Sequence, residues 1–128
     1  KHFRHLIDFY DRFVYQFPNV NYDLRERNVE IETNKDAAKE RIVQIKNLLL
    51  TFKQKDIDEE IVLFQGDIPM NENNFKVKSN LGRELRYLVE HTVHHYAIIA
   101  MFLKKFGYSV PIDFGLARST LEYEAKQI

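Results

Sequence analysis

The longest patterned stretch of this chain leaves little freedom. Leu81, Leu85, Leu88, Thr92, Ile99, Leu103 and Phe106 return at the three- and four-residue spacing of a single helix face. Ser79 can cap the start, Gly107 is a natural stop, and Pro111 follows it. Such a helix is roughly 27 residues long, or about 40 Å at a rise of ~1.5 Å per residue. A rod with one apolar face must bury that face against other elements.

Two earlier stretches have the same character. Residues 1 to 17 carry Phe3, Leu6, Ile7, Tyr10, Val14 and Phe17 at helical spacing, until Pro18 and Asn19 end the pattern. Thr33, with Asp36 three residues later, predicts a capped second helix. Its stripe is Ala38, Ile42, Ile45, Leu49 and Phe52, and it runs to about residue 54. The polar segment 19 to 32 reads as a loop that has room for one short helical turn. Ile61-Val62-Leu63-Phe64 and the alternating Phe75-Lys76-Val77-Lys78 predict two short strands. Gly66-Asp67, Pro69 and Asn71-Glu72-Asn73-Asn74 lie between them, so the pair reads as a β-hairpin. A loop through Asp113-Phe114-Gly115 precedes a short helix from Ser119.

The expected class is therefore mainly α, with a small hairpin between the second and third helices, in one domain spanning 1–128. Three long amphipathic helices leave one face unsatisfied, and a fourth would complete a bundle. The chain opens at Lys1 already inside a helical pattern, so the first helix of such a bundle is expected upstream.

Composition narrows the function classes. Lys plus Arg number 19 and so do Asp plus Glu, which argues against a dedicated nucleic-acid binder. There is no cysteine, so a disulfide scaffold, a cysteine-ligated zinc finger and a cysteine nucleophile are excluded. The longest apolar stretches, such as 97–103, fall well short of the roughly 20 residues of a membrane span. No signal peptide is visible, so a cytoplasmic location without membrane partners is expected.

The five histidines fall in two clusters, His2 and His5, then His91, His94 and His95. Residues four apart on a helix share a face, so His91 and His95 point the same way. Neutral imidazoles so placed can share a metal ion. On a helical wheel Glu84, Leu88, His91, His95 and Phe102 form one stripe beside the core face, and His94 lies further round. A third ligand has to come from another helix. His5 sits at the edge of the apolar face of residues 1 to 17 near Phe9, and His2 lies closer to its centre. Geometry alone does not choose between them. Packing is the ordinary account of two histidines at this spacing. Thr92 stands where the zincin motif needs a glutamate, which sets a zincin protease aside.

Leu81-Gly82-Arg83-Glu84-Leu85 followed by His91-Thr92-Val93-His94-His95-Tyr96-Ala97 resembles the last long helix of DinB-like proteins. In that family a histidine, three residues and a second histidine supply two ligands of a metal triad, which map to His91 and His95. The family's first ligand precedes an aliphatic residue, a small or aliphatic one and an acid. His5-Leu6-Ile7-Asp8 matches, so the resemblance selects His5 over His2. Asp113-Phe114-Gly115 also resembles a subgroup of the family. The resemblance implies a four-helix bundle whose first helix precedes Lys1.

It also implies a divalent metal on His5, His91 and His95 with one coordination position open, as in catalytic rather than structural sites. Zinc and nickel both suit imidazole. Relatives with known activity include thiol-dependent S-transferases and a thiol-dependent isomerase. A metal-dependent thiol S-transferase or a hydrolase is therefore expected, with a low-molecular-weight thiol or another small molecule as partner. A non-catalytic metal-bound bundle with an interaction or stress-response role is the alternative. A homodimer is also expected. Asp8 and Glu84 are candidate acceptors for the second N–H of a ligand histidine, with surface salt bridges as the ordinary alternative for both. Arg25, Arg27 and Arg83 could hold the carboxylate of a thiol cofactor, unless they form an ordinary solvated face. Tyr22, Tyr87 and Tyr96 could line a pocket or simply pack.

Overall fold

The computed structural model describes residues 1–24, 26–66 and 75–128. Arg25 and the expected hairpin turn at 67–74 lie outside the described residues. The elements run α1 (His2–Gln16), β1 (Asn19–Val20), α2 (Val29–Thr33), α3 (Lys35–Thr51), a 3-10 turn (Phe52–Gln54), β2 (Glu60–Phe64), β3 (Lys76–Asn80), α4 (Leu81–Lys105) and α5 (Arg118–Lys126). The protein is thus mainly helical with one small sheet.

Helix α1 is the hub, packing against both α3 and α4. Its inner face supplies Phe9 and Phe13 to a core completed by Val20, Phe52, Ile61, Leu81 and Leu88. Phe13, Val20 and Ile61 are fully sealed from solvent. A second cluster, Ile7 with Ile31 and Ile45, joins α1 to α2 and α3. Burying side chains of this size stabilises by roughly 1.5–3 kcal/mol each relative to exposure. The short α5 buries none of its residues.

The expected hairpin is present as β2 and β3, antiparallel with Ile61 opposite Ser79 and Leu63 opposite Val77. The sheet has a third strand that the sequence reading missed. Asn19–Val20 pairs in parallel with Val62 and Leu63. Two residues after a proline carry no periodicity, so only the return of the chain against β2 makes them a strand.

Both expected caps move by one residue. Asn34, not Thr33, caps α3, its Oδ1 accepting from the amides of Asp36 at 3.0 Å and Ala37 at 3.2 Å. Thr33 instead ends α2, its hydroxyl donating to the Val29 carbonyl. Asn80, not Ser79, caps α4 by accepting from the Arg83 amide at 2.8 Å. A hydroxyl and an adjacent amide side chain compete at each site. The residue whose backbone is extended just before the first helical turn takes the role. The helix expected to run to residue 54 gives way to its 3-10 turn after Thr51.

The C-terminal segment returns onto α4. Phe114 stacks on Tyr96 with ring centroids 4.4 Å apart and planes 11° apart. Gly115 beside it has φ +81°, and a Cβ there would lie 2.4 Å from the Ala97 nitrogen. No side chain fits at that approach, and the positive φ disfavours one independently.

Two outcomes follow from these contacts. Asn34→Ala is expected to cost about 0.5–2 kcal/mol in denaturant unfolding, whereas Thr33→Ala should stay within roughly 0.5 kcal/mol. Gly115→Ala should release the segment after Val110 from α4, giving faster proteolysis there and lower Tyr96 burial by hydrogen exchange or fluorescence quenching. Unchanged cleavage would show that the close approach is not needed.

Candidate metal centre

Tyr10 fixes how α1 meets α4. Its hydroxyl lies 2.9 Å from Thr92 Oγ1 and 3.3 Å from the Leu88 carbonyl. Thr92 Oγ1 lies 2.7 Å from the same carbonyl, and either hydroxyl of the Tyr10–Thr92 pair can be the donor. Burial pushes the Tyr10 hydroxyl above its ordinary pKa, partly offset by the Thr92 hydrogen bond, so the phenol stays protonated. Five residues earlier on α1 comes His5. One residue before Thr92 on α4 comes His91.

With the helices so aligned, one nitrogen from each of His5, His91 and His95 lies within 4.8 Å of the other two. His5 Nε2 and His91 Nε2 are 3.0 Å apart, the donor depending on tautomer. The His95 ring stands 4.6 Å from that of His5 and 4.7 Å from that of His91, centroid to centroid. Two nitrogens on one tetrahedral zinc, each bonded at roughly 2.0–2.1 Å, stand about 3.4 Å apart. The three rings therefore fit a shared ion with small side-chain adjustments. All three are half-buried. His95 is held below its ordinary pKa, first by burial and then by its neighbours His2 and His94, which favours the neutral form a ligand needs. His94 is exposed and makes an edge contact with His95. His2 does join it, with Nδ1 3.0 Å from Nδ1 of His95.

Phe9 ties this cluster to a neighbouring pocket. It stacks on His91 at 4.4 Å and on Tyr22 at 5.2 Å. Tyr87 contacts both His91 and Tyr22. Phe9, Tyr22 and Tyr87 line a pocket of about 310 Å³ whose far wall is Leu63 and Val77 of the sheet and whose charged members are Asp23, Arg83 and Glu84. Of the arginines named from the sequence, Arg83 lines this pocket. Arg27 is exposed with φ 53° and is not among its lining residues. Tyr96 instead borders the apolar groove over Leu6, Ile7 and Ile45.

Glu84 is almost wholly buried, at 3% exposure. Its carboxylate accepts from Ser79 Oγ at 2.6 Å and from Tyr22 Oη at 3.0 Å. Burial and the adjacent carboxylate push the Tyr22 hydroxyl far above its ordinary pKa, so it remains a donor. Glu84 thus anchors the pocket wall through Ser79 and Tyr22. Asp8 is buried on α1 and pairs with Arg4 at 3.7 Å, while Arg4 also meets Glu32 at 2.7 Å. Sequence reading missed Phe9 as the shared wall, Leu63 as a pocket-side residue and Ser79 as a partner of Glu84. The i, i+4 spacing of His5 and Phe9 was the one available signal. The sheet residues gave none, because their facing depends on register.

Among the described residues, no helix is long and apolar enough to cross a membrane. No solved structure matches the chain. A protein of Rhizopus delemar named FK506-binding protein 5 is 39% identical over 108 residues, which is 84% of this chain and 28% of that protein. The chain thus spans little more than a quarter of that relative. The sequence pattern of the DinB family matches residues 1–126. With that match over nearly its whole length, the chain belongs to the DinB family.

Proposed function

We propose that the protein binds a divalent metal, zinc or nickel, through His5, His91 and His95, and acts on a small thiol as a metal-dependent S-transferase or hydrolase. The observation that carries this is the convergence of three nitrogens within 4.8 Å, His5 on α1 lying 86 or more positions before His91 and His95 on α4. Three neutral imidazoles leave room for an exogenous ligand, whereas structural zinc sites are normally closed by four protein ligands. When bound, such an ion supplies a Lewis acid that lowers the pKa of a water or thiol meeting it.

The chain's own residues supply the rest. Phe9 and Tyr87 shield the His91 side of the cluster from water and form a wall shared with the neighbouring pocket. That pocket offers aromatic and aliphatic surface for the body of a ligand. Arg83 at its rim offers a planar guanidinium, the group best suited to pair with a carboxylate in two parallel hydrogen bonds. A small thiol bearing a carboxylate suits these features.

A second reading is a metal-stapled module without chemistry of its own. It is favoured by the relative of which this chain matches 28%, since a domain within a longer protein can serve assembly or stability.

Elemental analysis of protein purified without a His-tag separates the main reading from its failure. About one equivalent of zinc or nickel is expected in the wild type, and near zero in His91→Ala and His95→Ala. Equal content in all three would discredit the site. The two readings part on thiol binding. With cobalt in place of the native metal, a carboxylate-bearing thiol should produce a sulfur-to-cobalt charge-transfer band, weakened at least tenfold in thiol affinity by Arg83→Ala. A pure staple gives no such band. In either case zinc at a hundred times its Kd should add about 2.7 kcal/mol to stability, and His95→Ala should abolish the gain.

A further inference from the structure

The three-histidine assignment leaves a fourth imidazole in contact with the cluster. His2 lies one turn before His5 on α1, and its Nδ1 is 3.0 Å from Nδ1 of His95. The two rings are 5.2 Å apart at 45°, and the outer side of His2 meets Phe102 at 6.4 Å. Yet His2 is not one of the three residues whose nitrogens fall within 4.8 Å of one another. Its contact with the site runs through His95.

Proton placement gives this contact a consequence. A neutral imidazole has one N–H and one bare nitrogen. Two Nδ1 atoms at 3.0 Å form a hydrogen bond only when one of them carries the proton. If His95 is the donor, its Nε2 is bare and can bind a cation. If His2 is the donor, the His95 Nε2 carries hydrogen and ligation there is blocked. His91, one turn earlier on the same face of α4, directs Nε2 toward Nε2 of His5. With Nδ1 of His95 turned to His2, Nε2 is the atom that remains for the same point.

We propose that His2 is a positioning residue for the metal centre. Its Nδ1 accepts from Nδ1–H of His95, which fixes the His95 tautomer and ring orientation with Nε2 toward His5 and His91. This rests on the metal-binding reading above. Ligand histidines commonly pass their second N–H to a carboxylate, a backbone carbonyl or water. Here a second imidazole fills that place, while the nearby carboxylate on α4, Glu84, is engaged by Tyr22 and Ser79.

The test measures zinc Kd by competition with a chromophoric chelator in the wild type, His2→Ala, His2→Gln and His91→Ala. It adds long-range nitrogen NMR of His95 in the zinc-loaded and metal-free wild type. His2→Ala should weaken zinc about 10–100-fold, with the melting temperature of the metal-free protein unchanged. His2→Gln, whose amide oxygen can still accept, should recover most of the affinity. The His95 proton should reside on Nδ1 in both wild-type forms. Unchanged affinity in His2→Ala, or a proton on Nε2, overturns the proposal. Tighter thiol binding by the cobalt form of His2→Ala would make His2 a fourth ligand and overturn it too. A wild type that takes up no zinc overturns both this role and the metal reading. Zinc lost in His91→Ala but unaffected in His2→Ala overturns this role alone.

Discussion

The packing of α1 against α4 carries both the core and the histidine cluster. Phe9 and Phe13 on α1 meet Leu81 and Leu88 of α4 in a sealed core, and Tyr10 reaches across to Thr92 and the Leu88 carbonyl. Apolar packing of this kind is strong but permissive, since helices can slide or rotate a little at small cost. The Tyr10 hydrogen bonds are directional and half-buried, so they select one alignment. Sliding α1 by one residue would turn its side chains by about 100°. His5 would then leave His91, and Phe9 would leave the seat it shares between Tyr22 and His91.

That alignment explains why polar residues are tolerated so near the core. Each is matched to a partner from a different element. Glu84 on α4 receives Tyr22 from the segment after β1 and Ser79 from β3. Asn21, fully buried, accepts from the Asp23 amide and donates to the Gly66 carbonyl beside β2. A buried carboxylate or amide without such partners would cost roughly 1–3 kcal/mol or more. These bonds also join the sheet to the helices, so the pocket wall of Leu63 and Val77 keeps a defined relation to Tyr22 and Tyr87.

Electrostatics at the cluster act in the same direction. At His95, burial disfavours imidazolium, and the neighbouring His2 and His94 disfavour it further. Imidazole nitrogens are a donor set suited to a borderline cation. Phe9 and Tyr87 pack against His91 on one side, and Phe102 meets His2 on the other.

Much of this architecture is legible in the residues alone. The stripes of α1 and α4, the hairpin and the common face of His91 and His95 follow from local periodicity, because 3.6- and 2-residue repeats are properties of the chain itself. The choice of His5 as the third member comes from its resemblance to a family pattern, and the structure gathers its nitrogen with the other two. Other features depend on contacts between distant segments. Val20 becomes a strand residue only through Leu63, and Asn34 and Asn80 displace the expected caps through the particular turn of backbone before each helix. His2 reaches His95, whereas His5 meets both His91 and His95, and only the crossing of the two helices assigns them. Periodicity determines which face a residue occupies. Where two faces meet is set by packing between elements, and that is a property of the fold.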